Sequence, residues 1–66
     1  MKIRVNGIER EIEAGTTVES LLNMLEIKVQ GIAVDINREI VPKRLFSETI
    51  LNEGDSIEIV RMVGGG

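Results

Sequence analysis

A chain of 66 residues has room for a single hydrophobic core, and its lack of cysteine excludes disulfides and thiolate-bound metals. A net charge of −3 and a single aromatic residue, Phe46, argue against a binder of nucleic-acid backbones, which needs basic and stacking side chains. Because no apolar run approaches the roughly 18 residues of a membrane span and no signal peptide is visible, we expect a cytoplasmic protein that contacts no membrane.

The first segment predicts a β-hairpin. Apolar and polar residues alternate over residues 2–6 and again over residues 8–13, which is the period of half-buried strands. Asn6-Gly7 stands between the two runs, and both residue types accept the positive φ angles of a tight hairpin turn. We therefore predict two antiparallel strands joined at Asn6-Gly7.

A helix is predicted next, over residues 17–26. Thr16 and Glu19 have the spacing of a capping box, in which the hydroxyl and the carboxylate each accept a hydrogen bond from a free backbone N–H. Apolar residues then recur at steps of three and four along one helical face: Val18, Leu21, Leu22 and Leu25. Such a stripe needs a sheet to cover it.

A second β region follows the helix. Residues 32–36 alternate as a strand, residues 37–38 (Asn-Arg) indicate a tight turn, and residues 40–41 form a short return strand. Pro42 ends that strand because proline has no N–H for a ladder hydrogen bond. The pattern predicts a second hairpin in the same sheet.

The last strand is predicted over residues 56–63, after a short helical turn near Leu45 and Phe46 and a polar turn at residues 52–55. Its alternation puts one set of side chains on the helix side of the sheet: Ile57, Ile59, Arg61 and Val63. The other set faces away from the helix: Glu58, Val60 and Met62.

The predicted order is ββαβ(β)β, which indicates the α+β class with a mixed sheet of four to five strands packed on one helix. We assign residues 1–63 to this domain and residues 64–66 to a flexible glycine tail, because glycine loses the most conformational freedom on ordering. A glycine run by itself is also typical of a frayed end or an expression remnant.

The side chains offer little for catalysis. Histidine, cysteine, tyrosine and tryptophan are all absent, so serine and threonine hydroxyls lack the usual general base. A serine–lysine pair that uses Lys28 or Lys43 stays open. We expect a protein that is not an enzyme and that binds no cofactor.

Carboxylates are the other candidates for chemistry. Glu9, Glu11 and Glu13 share one face of the second strand, which favours a solvated edge over an acid–base pair. Glu53 and Asp55 are typical turn residues, and their loop lacks the regular ligand spacing of a calcium site. A site for a hard cation at this loop stays open as an alternative, but we expect no bound metal.

One reactive group remains, the C-terminal carboxylate expected at Gly66. A carboxylate is inert as an electrophile until another enzyme activates it, for example by adenylation. Glycine at Gly64 and Gly65 suits insertion into a narrow active-site channel because it has no Cβ and adopts any φ. The glycine tail is therefore the candidate functional part of the chain.

Four stretches carry a resemblance to a known family: AGTTVESLL, AVDINREIVP, EGDSIEIV and the final GG. Together with the ββαββ order, they resemble the β-grasp, or ubiquitin-like, fold. More narrowly, they resemble the ThiS family, the small sulfur carriers of bacterial thiamine biosynthesis. The resemblance extends over the chain nearly from end to end.

This resemblance implies a mechanism. An E1-like adenylyltransferase uses ATP to form an acyl-adenylate on Gly66, and a cysteine desulfurase system supplies the sulfur that converts it to a thiocarboxylate. Thiazole synthase then takes this sulfur for the thiazole ring. Gly65 and Gly66 match the terminal pair of the family, with Gly66 as the modified residue, whereas Gly64 falls where the family tolerates another small residue.

Three positions depart from the family pattern. Asp35 stands where a small apolar residue is expected, Phe46 where tryptophan is frequent, and Lys43 where arginine is frequent. These departures concern the recognition of partners more than the carrier function, because they lie outside the tail.

Exposed apolar residues before the tail are candidates for partner docking. These are Val60 and Met62, and Glu58 between the strand's apolar residues is a candidate for steering towards basic partners. The alternative is that they are isolated surface residues without function.

Three other functions stay open on the residues alone. The chain is a sulfur carrier for another pathway, such as the small subunit of molybdopterin synthase or tRNA thiolation; or it is a ubiquitin-like modifier joined to lysines through Gly66; or it is a β-grasp interaction module whose tail is inert.

Overall fold

Residues 1–62, which the computed structural model describes, fold into a five-stranded sheet and one α-helix. The strands are β1 (Lys2–Val5), β2 (Ile8–Glu11), β3 (Ile32–Ile36), β4 (Glu39–Val41) and β5 (Ser56–Arg61). The helix α1 spans Val18–Met24, and a 3₁₀ helix spans Lys43–Leu45, close to the predicted helical turn. The predicted mixed sheet of four to five strands with one helix is confirmed.

The last strand of the chain, β5, lies at the centre of the sheet. The spatial order is β2-β1-β5-β3-β4. β5 runs parallel to β1 and antiparallel to β3, and the outer pairs β1–β2 and β3–β4 are antiparallel hairpins. A parallel pair requires a long crossover connection, which here contains α1. The strand that leads to the tail is therefore held along both of its edges.

Both predicted two-residue turns are present. Asn6 and Gly7 have φ angles of 50° and 83°, and Asn37 and Arg38 have φ angles of 52° and 72°. Asparagine and glycine enter this left-handed region more readily than other residues. The two hairpins are therefore confirmed, with Arg38 as the position where the turn imposes an unfavourable backbone conformation.

The predicted cap of the helix is wrong by one residue. The N-cap is Thr17, whose backbone is extended with φ −94° and ψ 170° and whose hydroxyl oxygen accepts from the Ser20 N–H at 3.1 Å. The helix begins at Val18, so the Thr16–Glu19 capping box does not form. Threonine is a favoured N-cap residue at either position, and local sequence spacing does not show which of Thr16 and Thr17 is the N-cap.

Tertiary contacts explain the choice of the second threonine. Thr16 is buried, its hydroxyl donates to the Glu13 carbonyl at 2.7 Å, and its own carbonyl accepts from the Leu51 N–H at 2.9 Å. These bonds tie Thr16 to the turn before the helix. At the other end, α1 stops at Met24, two residues earlier than predicted, and Glu26 has a φ of 58°.

A single core lies between α1 and one face of the sheet. Its buried apolar residues come from the sheet, the helix and the segment before β5: Ile3, Val5, Ile12, Val18, Leu21, Leu22, Ile32, Val34, Phe46, Leu51 and Ile57. β2 ends at Glu11 and β5 at Arg61, each two residues before its predicted end. Val63, predicted to face the helix, lies outside the described residues.

Candidate functional site

The candidate site has two parts, the strand β5 and the glycine run that follows it. Gly64, Gly65 and Gly66 lie outside the described residues, so their assignment as a separate tail and the role of Gly66 stay predictions. The structure does describe the strand that leads to them, up to Met62. The geometry that can be described is therefore that of β5 and of the residues that hold it.

The helix-facing side of β5 anchors the strand in the core. Ile57 is fully buried with 0% exposure, and Ile59 is half-buried and packs against the core cluster. In β3, Ile36 lies opposite Ile57 and Val34 lies opposite Ile59, so apolar side chains meet across the strands on this face. The predicted inward orientation of these isoleucines is confirmed.

Asn6 extends the hydrogen bonding of β5 beyond the end of β1. Its N–H donates to the Ile57 carbonyl at 2.9 Å. Its side chain replaces the backbone hydrogen bonds that a longer β1 would make to β5. Oδ1 accepts from the Ile59 N–H at 2.8 Å, and Nδ2 donates to the Ile59 carbonyl at 3.2 Å. Sequence reasoning identified Asn6 only as a turn residue, because no local pattern links positions 6 and 59.

A second asparagine holds the start of β5. Asn37 donates its N–H to the Ser56 carbonyl at 2.8 Å and accepts the Ser56 N–H on Oδ1 at 3.0 Å. Its Nδ2 donates to Asp55 Oδ1 at 3.0 Å, and Asp55 Oδ2 accepts from the Asn52 N–H at 2.8 Å. Asp55 is thus the turn residue that was predicted. Asparagine side chains bind β5 at its first residue, Ser56, and at Ile59.

The outer side of β5 faces away from the helix and is open to solvent. Val60 is 56% exposed and Met62 is 60% exposed, and Glu58 is exposed as well. The alternation therefore predicted the orientation of Glu58 and Val60 correctly, whereas Met62 follows the end of β5 and is shown only to be exposed. Their function in docking stays a prediction.

Two further residues lie on this outer face and were not predicted as part of the site. Asp35 of β3 pairs with Glu58, and Ile40 of β4 pairs with Asp35, so the three side chains share one face. Ile40 is 78% exposed, which makes it the most exposed of the large apolar residues described. The alternation within β4 could have indicated that Ile40 faces outward. The position of Asp35 opposite Glu58 depends on the register between two strands that are distant in the sequence.

Enzyme-like groups do not assemble in the described part of the chain. In residues 1–62, no serine hydroxyl is hydrogen-bonded to a lysine, and Ser20 Oγ instead accepts from Thr17 Oγ1 at 3.1 Å. Within the same range, no group of three or more acidic side chains has a spacing that holds a metal ion. None of the helices described there has the length and apolar character to cross a membrane.

Two of the three carboxylates predicted on one face of the second strand, Glu9 and Glu11, lie in β2, whereas Glu13 lies beyond its end. Glu9 and Glu11 lie exposed on the edge strand of the sheet, opposite Arg4 and Lys2 of β1. Glu11 also forms an ion pair with the amino group of Met1 at 3.2 Å. These carboxylates therefore form a solvated edge.

Comparison with known families and proteins gives a consistent result. The sequence matches the ThiS family over residues 3–66. The sulfur carrier protein ThiS of Escherichia coli is 35% identical over 66 residues, which is the whole length of both chains. The match includes the glycine run that the structure does not describe.

A longer relative contains a similar sequence within a larger protein. A thiazole synthase of Paramagnetospirillum magneticum is 46% identical over 66 residues, which is all of this chain and 20% of that protein. The chain therefore spans a fifth of the length of this relative.

The fold has a close counterpart among solved structures. The crystal structure of a thiamine biosynthesis protein, ThiS, from Geobacter metallireducens matches with a TM-score of 0.89 and 28% sequence identity, and all of both chains is covered. The predicted β-grasp fold is confirmed.

Proposed function

The chain belongs to the ThiS family of sulfur carrier proteins, and on that premise we propose that Gly66 carries the sulfur as a C-terminal thiocarboxylate for the thiazole ring of thiamine. The observation that carries this proposal is the family match over residues 3–66, because it runs through the glycines to Gly66 itself. The support that β5 gives to the following residues agrees with this function.

The chemistry takes place at the carboxyl group of Gly66, where activation by ATP is followed by sulfur transfer. A carboxylate oxygen of Gly66 attacks the α-phosphorus of ATP, and pyrophosphate leaves to give the acyl-adenylate. A persulfide sulfur of the desulfurase system then attacks the acyl carbon, and AMP leaves with the oxygen that was activated. A thiol cleaves the resulting acyl disulfide, which leaves the thiocarboxylate on Gly66 and a disulfide on the sulfur donor. Both steps occur in the active site of a partner, so the chain acts as a protein co-substrate and not as the catalyst.

The folded body positions the tail for these steps. Holding β5 along both edges and through the side chains of Asn6 and Asn37 gives the glycine run a defined starting point. Glycine at positions 64–66 leaves no side chain to obstruct a narrow channel. Rigid support close to the reacting group reduces the entropy that binding must otherwise remove.

Three partners follow from the proposed chemistry. They are an E1-like adenylyltransferase that uses ATP, a cysteine desulfurase system that supplies the sulfur, and thiazole synthase that accepts it. The thiazole synthase relative, of which this chain spans a fifth, supports the third. We place these reactions in the cytoplasm, where ATP is available to the adenylating enzyme, and assign no cofactor to the carrier itself.

Intact-mass measurement tests the proposal. The protein is incubated with ATP, the adenylating enzyme and the sulfur source, and the expected product is heavier by the exchange of one oxygen for one sulfur at the C-terminus. A variant that lacks Gly66 should show no exchange and should keep the thermal stability of the parent chain.

Other outcomes identify the alternatives. Covalent adducts of the chain on other proteins would indicate a protein modifier, and a thiocarboxylate that thiazole synthase does not consume would indicate a carrier for another pathway. Absence of any ATP-dependent change in the wild-type chain would refute the proposed function.

A further inference from the structure

The two strands beside β5 accompany it over different lengths. On one edge, β3 pairs with β5 as far as Arg61. On the other edge, the register with β1 ends at Ile57, because the chain leaves the sheet at the turn that begins with Asn6. The C-terminal half of β5, residues 59–61, therefore has a neighbouring strand on one edge only.

The side chain of Asn6 occupies the edge that β1 leaves open. Its Oδ1 accepts from the Ile59 N–H at 2.8 Å, and its Nδ2 donates to the Ile59 carbonyl at 3.2 Å. This pairing requires a donor and an acceptor side by side on one planar group, which a carboxamide provides. Asparagine also tolerates the φ of 50° that the turn imposes at this position. The residue type at position 6 therefore suits β5 as well as the turn.

The two bonds to Ile59 fix a position more than they add stability. Both bonds are exposed to solvent, so water would replace them if the side chain were absent, and their net contribution to the free energy of unfolding is modest. Water, however, does not hold the strand at a set distance from β1. A strand that is bonded along one edge can rotate about that edge, and a bond on its second edge removes this freedom.

We propose that Asn6 is a positioning residue for the activation of Gly66: by fixing the C-terminal half of β5, it sets the direction in which the glycine run enters the active site of the adenylating enzyme. This inference rests on the proposed function. Ile59 lies three residues before Met62, which is roughly 10 Å along a strand. The glycines that follow have no side chains by which a partner could orient them. Their orientation must therefore come from the folded body.

Asn37 provides a matched comparison within the same chain. It begins the other two-residue turn, with a φ of 52°. Each of the two asparagines donates its backbone N–H to a carbonyl of β5 and forms two hydrogen bonds through its side chain. Asn37 binds Ser56, however, which lies six residues before Met62, or roughly 20 Å along a strand. The two residues thus form similar bonds at different distances from the glycine run.

The test compares Asn6→Gly with Asn37→Gly. Glycine accepts the positive φ at both positions, so each variant keeps its turn and loses its side-chain bonds. ATP-dependent pyrophosphate release with the adenylating enzyme is measured as the carrier concentration varies, well below both melting temperatures. For Asn6→Gly we expect kcat to fall by about threefold to tenfold with KM within about twofold of the wild type, because the freedom that the strand regains must be removed after docking. Asn37→Gly should lose similar thermal stability and lower kcat by less.

Nuclear magnetic resonance of the free carrier supplies a readout that needs no partner. In Asn6→Gly, hydrogen exchange of the Ile59 N–H should accelerate and the backbone order parameters of residues 60–62 should fall. In Asn37→Gly, the Ser56 N–H should exchange faster, whereas the order parameters of residues 60–62 should keep their wild-type values. If Asn6→Gly does not fold, Asn6→Asp replaces it. Aspartate keeps an acceptor for the Ile59 N–H but lacks the donor to the carbonyl, and should lower kcat by about twofold.

Contrary results separate this inference from the proposed function. With a wild-type carrier that is adenylated normally, an unchanged kcat in the Asn6 variant overturns the inference alone, as do unchanged order parameters of residues 60–62. An equal fall of kcat in both glycine variants shows an effect of stability only and also overturns it. A raised KM with an unchanged kcat makes Asn6 a contact of the partner and not a positioning residue. A wild-type chain that releases no pyrophosphate refutes the proposed function, and this inference with it.

Discussion

The two faces of β5 differ in what they contribute to the protein. On the helix side, Ile57 is fully buried and Ile59 is half-buried against the core. On the outer side, Glu58 and Val60 are exposed to solvent. Because side chains of a strand alternate with a period of two, neighbouring residues lie in the core and on the exposed face in turn.

The residues of β3 that lie opposite β5 also differ between the two faces of the sheet. On the helix side, β3 offers Val34 to Ile59, which is a favourable apolar pair. On the outer side, it offers Asp35 to Glu58, which is an unfavourable pair of like charges. The same two strands thus pair apolar residues on one face and like charges on the other. Four substitutions test this comparison, in order of their expected effect on the free energy of unfolding.

The largest loss of stability is expected for Ile57→Ala on the buried face. Removing most of a fully buried isoleucine side chain should lower the free energy of unfolding by about 2–5 kcal/mol, because transfer energy is lost and a cavity remains. Urea unfolding monitored by circular dichroism measures the change. If the variant is unfolded at 25 °C, Ile57→Val provides the milder step, with an expected loss of about 0.5–1.5 kcal/mol. A loss close to zero for both would mean that the two faces do not differ as described.

A smaller loss is expected for Asn6→Ala at the edge of β5. The change removes both side-chain hydrogen bonds to Ile59 and places alanine at a φ of 50°, which together should cost about 1–3 kcal/mol. Asn6→Gly is the matched control, because glycine accepts the positive φ and loses only the hydrogen bonds. Equal stability of the glycine variant and the wild type would show that the side-chain bonds contribute nothing.

Val60→Thr should affect binding and leave stability almost unchanged. Threonine keeps the branched shape and the preference for strands, so the free energy of unfolding should stay within about 0.5 kcal/mol of the wild type. Loss of one apolar methyl from a docked surface should raise the KM of the partner reaction by about fourfold. Steady-state kinetics with the adenylating enzyme and with thiazole synthase measure this, and an unchanged KM with both would remove Val60 from the docking surface.

Gly65→Val should have no effect on stability and the strongest effect on function. The residue follows the last strand, so the unfolding curve should overlay that of the wild type. A branched side chain in a narrow channel should prevent adenylation of Gly66 and thus thiocarboxylate formation, as measured by intact mass. Gly65→Ala is the graded control, with an intermediate yield. A normal yield from the valine variant would contradict the insertion of the tail into a channel.

The parts of the fold that were predicted correctly depend on neighbours in sequence. Asn6-Gly7 and Asn37-Arg38 form the expected turns, because a positive φ is decided by the residue itself and its immediate chain. The orientation of Val60 was also predictable, since alternation along one strand decides it once the strand is recognised. The assignment of the candidate site to Gly66 came from the elimination of side-chain chemistry and from the family resemblance.

The parts that were missed depend on contacts between distant residues. Local spacing favoured Thr16 as the helix cap, but the bond between its carbonyl and Leu51 leaves Thr17 in that position. The hydrogen bonds between Asn6 and Ile59 join residues at opposite ends of the chain, and no local pattern indicates them.

The amino-acid sequence by itself determined the order of the elements, the inner and outer residues of β5 and the family of the protein, because these follow from periodicity, turn chemistry and similarity. Only the tertiary structure decided which residues of different strands stand opposite each other. The register of β3 against β5 brings Asp35 to Glu58, and a shift by one residue would separate them. Register depends on the pairing of two segments that are far apart in the chain. The pairing of Asp35 with Glu58 therefore could not be predicted from either segment alone.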